Sequence, residues 1–169
     1  VAIDENSIAV LPFVNMSSDK EQEYFSDGLT EDIITQLSKI KSFKVISRTS
    51  VMQYKKTPKS IREIGKELGV ATIVEGSVQR SPTQVRITAQ LINAVTDEHL
   101  WSESYDRPVD DIFTIQREVA LAIASVLNTT LTRKESQQLD YVPTVNLQAY
   151  DVYMRGKFLI EKRNKTDLL

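Results

Sequence analysis

The chain has 169 residues with a net charge of -2, and its 41% hydrophobic and 26% charged residues are typical of a globular protein. The small negative charge argues against a general surface for nucleic acid or anionic membranes. Because the chain has no cysteine, disulfides, thiolate catalysis and cysteine metal sites are excluded. No apolar run approaches the roughly 18 residues of a membrane span. The abrupt start at Val1 and the end at Leu169 inside a helical pattern predict an excised piece of a longer protein.

The first part of the chain predicts a buried strand followed by an amphipathic helix. Ser7–Val14 is a nearly continuous apolar run, which is typical of a strand covered on both faces. In Glu21–Ile40 apolar residues recur every three or four positions, so this segment should be a helix with one apolar face. Gly28 lies inside this helix at a typical cost of ~1 kcal/mol relative to alanine. A helix that begins only near Thr30 is the alternative.

A second strand and two short helical segments are predicted next. Phe43–Ser47 has the composition of a short strand, and Arg48–Lys55 is compatible with a helical turn. Ser60–Leu68 should be a short helix, because Ser60 is a suitable N-cap with a glutamate three residues later. Gly69 is placed to cap the carboxyl end of this helix.

Three consecutive strands are predicted in the middle of the chain. They are Val70–Arg80, Gln84–Val95 and His99–Tyr105, and they are joined by short turn-forming segments. In the middle strand apolar and polar residues alternate, which is the period of a half-buried strand. These strands should form an antiparallel meander.

The last third predicts a long helix, a linker and a further helix. Asp110 and Asp111 favour a helix amino terminus through capping and the helix dipole, and apolar residues then recur with helical spacing to Leu131. Lys134–Asn146 is polar, contains a proline and is interpreted as a linker before the helix Leu147–Lys162. The expected division is a domain over 1–134, a linker over 135–146 and a separate helix over 147–169.

This order of elements predicts an α/β fold. The two early connections pass through helices and should be right-handed crossovers between parallel strands, whereas the meander makes its middle strand antiparallel. The economical arrangement is a three-layer sandwich, in which a five-stranded mixed sheet has helices on both faces. The expected strand order is 2-1-3-4-5, which places the two most apolar strands inside the sheet.

A ligand site is conceivable at the crevice beyond the ends of the parallel strands, where strand order reverses. Polar residues follow the first and second strands there, close to a helix amino terminus that could bind a small anion or carboxylate. These candidate ligand-binding residues are Asn15, Ser17, Ser18, Arg48, Thr49 and Ser50. The alternative is that they are caps and turns, as such residues are after any strand.

The sequence contains none of the common catalytic or metal-binding patterns. One histidine, His99, cannot form a multi-histidine metal site, and no acidic cluster has calcium-loop spacing. No phosphate-binding loop, dinucleotide-binding glycine motif or nucleophile elbow occurs. The sequence therefore predicts no enzyme, no metal and no cofactor in this piece.

Two features of the meander could serve structure or function. Glu75 falls in an otherwise apolar strand, where a buried carboxylate needs a partner, and Arg86 on the next strand is a candidate. Trp101, Glu103 and Tyr105 alternate on one face of the last strand and could receive a partner at the sheet edge. Packing under the helix that follows is the alternative for these three residues.

Five strings, taken in order, are similar to a known bacterial module. They are SIAVLPFVNMSSDKEQEYFSDGLTEDIITQLSKI, VISRTSVMQYK, IREIGKELGVATIVEGSVQR, VRITAQLINAVTDEHLWSESYDR and DIFTIQREVALAIASVL. From Ser7 to about Leu131 the chain resembles the TolB amino-terminal-like domain, which is related to FlgO and CsgG-type domains. The resemblance implies a five-stranded mixed sheet like that of the anticodon-binding domain of class II synthetases. It also implies large bacterial signalling proteins with cyclase, kinase or CadC-type winged-helix domains, usually ahead of tetratricopeptide repeats.

The tail QAYDVYMRGKFLIEKRNKTDLL resembles the opening helix of a tetratricopeptide repeat array. A lone repeat helix cannot bury its apolar stripe on neighbouring repeats. We therefore expect Tyr150, Met154 and Phe158 to pack either on their own sheet domain or on another copy of the chain. The second arrangement would give a dimer through this helix.

The expected function is that of a non-enzymatic sensory or scaffolding module, which binds a protein segment or ligand and couples it to an effector domain. A nucleotide- or anion-binding regulatory domain and a dimerisation domain are the alternatives. The resemblance supplies no catalytic residues, so any cyclase activity would belong to other domains of the parent protein. A protein partner or self-association is expected, without nucleic acid and without membrane insertion by this piece. The compartment is left open, as bacterial cytoplasm or periplasm.

Overall fold

A mixed β-sheet organises the computed structural model, which describes residues 3–56, 59–129, 131–140 and 147–167, without the side chains of 21 and 161–167. The strands are β1 (Ser7–Val10), β2 (Val14–Asn15), β3 (Lys44–Val45), β4 (Thr72–Arg80), β5 (Gln84–Asn93) and β6 (His99–Pro108). The main path of the sheet runs β3-β1-β4-β5-β6, and β2 pairs separately with β4. Strand β1 is parallel to β3 and β4, whereas β5 is antiparallel to both of its neighbours. The first predicted strand contains β1, the second is β3, and the three strands of the meander are β4, β5 and β6. The predicted order 2-1-3-4-5 is therefore confirmed.

The first predicted strand, Ser7–Val14, is interrupted in the structure. Pro12 lies two residues after β1 and has no N–H group to donate to a neighbouring strand, so the ladder cannot continue through it. The Phe13 N–H instead donates to Thr30 Oγ1 over 2.9 Å. The chain then rejoins β4 as β2, opposite Ser77 and Val78. This break lets one segment follow β4 over most of its length.

Six helices surround the sheet in the part of the chain that the structure describes. They are α1 (Glu23–Ser38), α2 (Arg48–Met52), α3 (Ile61–Leu68), α4 (Ile112–Val126), α5 (Arg133–Asp140) and α6 (Leu147–Asp167). Helix α1 contains Gly28, so the longer of the two predicted helices is confirmed and the start near Thr30 is wrong. The caps of α3 are also confirmed, because Ser60 Oγ accepts from the Glu63 N–H and Gly69 adopts a left-handed φ of 67°.

The start of α4 differs from the prediction. The chain enters α4 through a 3-10 turn, Val109–Asp111, and Asp111 therefore already has near-helical backbone angles, with φ -82° and ψ 5°. An N-cap normally has an extended backbone that lets its side chain reach the first free N–H groups. Asp111 makes no side-chain capping bond, so its predicted capping role is wrong.

Part of the predicted linker is a packed helix. Helix α5 begins at Arg133, and Thr132 and Glu135 form a capping box, with bonds of 3.0 and 3.1 Å between each side chain and the other residue's N–H. Glu135 also accepts from the Lys41 N–H over 2.6 Å, and Leu139 is buried in the core. Residues 133–140 are therefore ordered by local capping and one apolar anchor. Residues 141–146 of the predicted linker lie outside the described residues.

Burial shows which parts of the sheet are covered by helices. All four residues of β1 are buried, as expected for a strand covered on both faces. Ile73 and Ile92 face away from α1 and α4 and are nevertheless buried, because α2 and α3 cover this end of the sheet. Further along, the same face carries polar, partly exposed side chains such as Ser77 and Thr88. The sheet is thus a sandwich at one end and open to solvent on one face at the other.

Candidate functional site

Helix α6 lies against α1, and the contact between them, here called the α1–α6 seam, is the most specific feature outside the sheet. Met154 is buried and points at Gly28, where an added Cβ would lie 1.7 Å from the Met154 Cε. A glycine in the interior of a helix normally destabilises it by ~1 kcal/mol relative to alanine. Gly28 is therefore explained by the close approach of α6.

A nearly buried ion pair fastens α6 to the end of β4. The Arg80 guanidinium donates to both carboxylate oxygens of Asp151, each over 2.7 Å, and the Arg80 side chain is only 7% exposed. The same guanidinium lies 4.5 Å from the centroid of the Phe25 ring, and the Tyr24 hydroxyl donates to Asp151 over 3.4 Å. A two-pronged arginine–carboxylate contact fixes distance and angle together. The pair therefore sets the position of α6 along α1.

A second polar contact joins α6, α1 and α4. The Tyr150 hydroxyl and Gln116 Nε2 both donate to the same oxygen of Asp32, Oδ2. The Tyr150 ring packs edge-on against Phe113, with centroids 4.9 Å apart. Burial raises the pKa of Asp32, although both hydrogen bonds act in the opposite direction. Burial and the neighbouring Asp32 carboxylate raise the pKa of Tyr150, which keeps its hydroxyl protonated as the donor.

Replacing Asp32 with asparagine should remove a pH-dependent loss of stability. Because the pKa of Asp32 is raised in the folded state, the unfolded chain releases this proton first as the pH rises from about 4. The stabilisation that this group gives the folded state is therefore lost as the pH rises through the folded-state pKa. Asparagine still offers an oxygen to Tyr150 and Gln116. In urea unfolding between pH 3.5 and 7, the free energy of unfolding of the variant should rise relative to that of the wild type. A difference between the two that does not change with pH would contradict this.

The far end of the seam is closed by paired charges. Glu31 is bonded by Lys157 from α6 and lies 3.4 Å from Arg48 Nε, while Lys55 contacts Asp27 Oδ2 at 2.7 Å. The cavity lined by Glu31, Arg48, Asp27, Lys157, Met154 and Phe158, among others, measures about 10 Å³. That is about the least space that holds one water, and far below the ~300 Å³ of a typical small-molecule site. The seam is therefore a packed helix contact.

Four of the six predicted crevice residues have separate hydrogen-bond or ion-pair partners in the structure. Asn15 accepts from the Ser17 N–H over 2.9 Å, and the Ser17 hydroxyl accepts from the Arg80 N–H over 2.9 Å. Arg48 lies beside Glu31, and the Ser50 N–H donates to the hydroxyl of the N-cap Ser47. Ser18 is exposed beyond β2, and Thr49 lies in α2. These bonds are those of turns and caps, and anion binding by these residues stays a prediction.

The meander residues are placed by the register of β4, β5 and β6. Glu75 lies opposite Gln90, whereas Arg86 lies opposite Gln79, so the predicted Glu75–Arg86 pair is wrong. The antiparallel register places the two residues four positions apart along the ladder. Glu75 is half-buried, and burial raises its pKa while His99 acts in the opposite direction.

The three residues predicted at the sheet edge differ in exposure. On β6, Tyr105 is buried, Trp101 is half-buried and Glu103 is exposed. The Arg107 guanidinium lies 5.3 Å from the Tyr105 ring centroid. Tyr105 therefore fits the structural alternative, in which it packs under α4. Partner binding by Trp101 and Glu103 stays a prediction.

The inner face of α6 packs on its own domain, as one of the two predicted arrangements requires. Met154 is buried, and Tyr150 and Phe158 are partly buried against the core. The outer face carries four exposed apolar residues that the sequence reading did not single out. These residues, here called the outer stripe, are Val152 (72% exposed), Tyr153 (65%), Leu159 (56%) and Ile160 (62%). Their spacing of one, six and one residues places them on a common side of a helix, a signal that was present in the sequence.

The described residues contain neither a membrane-spanning helix nor a cluster of potential metal ligands. None of the described helices combines the length and the apolar character that crossing a membrane requires. Among the same residues there is no group of three or more histidine, cysteine, aspartate or glutamate side chains placed to hold a metal ion.

Several solved structures share the fold at low sequence identity. TolB from Acinetobacter baumannii has a TM-score of 0.53 at 21% identity, over 72% of this chain and 28% of that chain. Lipoprotein GNA1162 from Neisseria meningitidis has a TM-score of 0.53 at 18% identity, over 70% of this chain and 98% of that chain. The dodecamer of a PelC variant from Paraburkholderia phytofirmans has a TM-score of 0.51 at 14% identity, over 76% of this chain and 92% of that chain. These likenesses show the α/β fold, and they include the TolB fold expected from the sequence.

Sequence comparisons place the chain more narrowly. A Rhizobium meliloti (strain 1021) protein named "Putative adenylate cyclase 3" is 47% identical over 158 residues, which are 94% of this chain and 27% of that protein. The chain thus spans about a quarter of the length of that relative. The model of the HilA/YgeH-like transcriptional regulator second domain matches residues 4–122, which include β1 to β6 and most of α4. The chain therefore belongs to the family of HilA/YgeH-like transcriptional regulator second domains and is a regulatory module.

Proposed function

We propose that this domain is a non-enzymatic module of a multidomain bacterial signalling protein, which binds a protein segment and couples that event to an effector through α6. The observation that carries the proposal is the α1–α6 seam. Arg80 and Asp151 fix α6 on the domain through two hydrogen bonds of 2.7 Å, and Gly28 is adapted to Met154. A helix held this tightly transmits a change in the domain as a change in its own position.

The family match and the named relative support a regulatory place in a larger protein. The chain corresponds to a domain of transcriptional regulators and to 27% of a protein named as an adenylate cyclase. We assign any cyclase or DNA-binding activity to other domains of the parent protein. The effector is then a cyclase, a kinase or a CadC-like winged helix, as the TolB-like resemblance implies.

The outer stripe supports a role for α6 as the first helix of a tetratricopeptide-type array. Val152, Tyr153, Leu159 and Ile160 present an apolar face that the described domain leaves largely exposed. In such arrays each helix covers the apolar face of its neighbour. The seam would then join the α/β domain to the array as one continuous body.

The proposal is tested in the full-length parent protein by loosening the seam. Asp151→Asn should release α6 and change effector output at least several-fold, measured as cyclic AMP formation or reporter transcription. Asp140→Asn, at the exposed Arg117–Asp140 pair, is the matched control and should leave the output unchanged. Unchanged output from a variant whose α6 amides exchange freely would refute coupling through α6.

Dimerisation is the second candidate, and the outer stripe is the observation that favours it. Contiguous exposed apolar residues mark association surfaces more often than isolated ones do. If the domain pairs through α6, Val152→Ser with Ile160→Ser should turn a dimer into a monomer in sedimentation equilibrium, without changing thermal stability. A wild type that sediments as a monomer at every concentration excludes this candidate.

A further inference from the structure

Strand β6 forms an edge of the sheet, and its backbone groups can be assigned to two sides. The Val109 N–H donates to the Thr83 carbonyl over 3.0 Å, so Val109 points towards β5. The direction of the backbone N–H and C=O groups alternates along a strand. The N–H and C=O groups of Arg107, Tyr105 and Glu103 therefore also point towards β5. The N–H and C=O groups of Ser102, Ser104 and Asp106 consequently point away from the sheet, as one row that we call the β6 edge.

One donor of the β6 edge already has a substitute acceptor. The Ser104 N–H donates to Oε1 of the neighbouring Glu103 over 3.2 Å. This carboxylate occupies the position that the carbonyl of an added strand would take. The side chain is exposed, so it can move aside without disturbing the core. The edge is therefore covered by one flexible side chain at this point, whereas natural sheets often protect edges with proline, bulges or lysine.

The side chains along the β6 edge set the chemistry of an incoming segment. Glu103 and Asp106 are exposed acids, whereas the nearby Arg107 is held by Glu118 through bonds of 3.1 and 2.6 Å. Ser102 and Ser104 are small and exposed, so they leave room beside the backbone. The edge thus combines outward-pointing acceptors and donors with two exposed carboxylates, although Arg86 on β5 lies opposite Asp106.

We propose that the β6 edge receives an extended, positively charged peptide segment, which adds to the sheet as a further strand. Main-chain hydrogen bonds to Ser102, Ser104 and Asp106 would hold the segment, and lysine or arginine side chains on one face of the added strand would face Asp106, since Glu103 lies on the opposite face of β6. The inference deepens the proposed function, on which it rests, by naming the surface and the kind of partner. Coupling through α6 is a separate step.

The test uses a blocked ten-residue peptide of alternating lysine and valine, with a glutamate–valine peptide as the charge control. Binding of the lysine peptide should shift and protect the amides of Ser102, Ser104 and Asp106 in two-dimensional NMR. The Tyr105 amide, which already points at β5, should stay unchanged. The glutamate peptide should bind at least tenfold more weakly at low salt. Absence of binding by the lysine peptide, or shifts confined to the outer stripe, would overturn the proposal.

Two variants at one position separate the backbone contact from the side chain. Ser104→Pro removes the outward N–H, which an edge strand tolerates, while Ser104→Ala keeps that N–H. The proline variant should bind the lysine peptide about five- to tenfold more weakly than the alanine variant. Equal affinity would overturn strand addition, and unchanged amide shifts in β4 check that the proline variant keeps its sheet. Effector output after Asp151→Asn does not depend on this result, so the two proposals can fail separately.

Discussion

Replacing Asp151 with alanine should cost about 3 kcal/mol of stability and free α6 from the domain. The change leaves the Arg80 guanidinium, whose side chain is only 7% exposed, beside Phe25 without its carboxylate. Breaking a buried ion pair by removing one partner typically costs ~3–5 kcal/mol, because an uncompensated charge stays buried. We expect the lower end of that range, since the Asp151 side chain is 24% exposed. Hydrogen exchange of the α6 amides and urea unfolding measure the two effects.

Two controls separate the buried charge from other consequences of the change. Asp140→Ala breaks the Arg117–Asp140 pair, in which the Asp140 side chain is 57% exposed, and should cost less than about 1 kcal/mol. Combining Arg80→Met with Asp151→Leu removes both charges and should recover most of the loss. If the double variant is as unstable as Asp151→Ala, the stranded charge is not the cause. Slow α6 exchange in Asp151→Ala would show that the apolar contacts of Met154 hold the helix alone.

The strand order could be predicted because the sequence pattern changes with burial. Ser7–Val14 is almost continuously apolar, as is typical of a central parallel strand, whereas Gln84–Asn93 alternates, with Val85, Ile87, Ala89 and Leu91 buried. Helical connections then require parallel pairing, and short turns require antiparallel pairing. These few constraints leave little freedom for the order of the strands.

Helix α5 was missed because its stability does not come from an apolar stripe. Only Leu139 in Arg133–Asp140 is apolar, so periodicity gives no helical signal there. The capping box of Thr132 and Glu135 was nevertheless readable in the sequence. Composition predicts a linker for such a segment, and local capping chemistry predicts a helix. Here the capping chemistry decides the structure.

The partners across the α1–α6 seam could not be paired from the sequence. Arg80 and Asp151 are 71 residues apart, and Tyr150 and Asp32 are 118 apart. Each charge also has other opposite charges closer to it along the chain. The apolar residues of α6 predicted that the helix packs somewhere, because a stripe of that kind is costly to leave in water. Helix α6 can pack on α1 because Gly28 leaves room for the Met154 side chain. This role of Gly28 is visible only when the position of Met154 is known.

Replacing Gly76 with alanine should destabilise the sheet by about 3 kcal/mol or more, the largest effect expected from adding one methyl group to this chain. An added Cβ would lie 2.1 Å from the Thr88 carbonyl oxygen and 2.7 Å from the Phe13 ring. The first contact is with the backbone of the adjacent strand, and Phe13 is fully buried, so neither can give way easily. Overpacking a core commonly costs ~1–3 kcal/mol, and a backbone contact places this change at the top of that range.

The same substitution at Gly156 is the matched control, because it should act in the opposite direction. An added Cβ there meets no atom within 4 Å, and the site lies in the interior of α6. Alanine should therefore stabilise by up to ~1 kcal/mol through helix propensity. Urea unfolding of both variants gives the comparison directly. If Gly76→Ala cost less than about 1 kcal/mol, β5 and the Phe13 ring would have to move to admit the methyl group, and the close packing of β4 on β5 at Gly76 would not be the constraint that we infer.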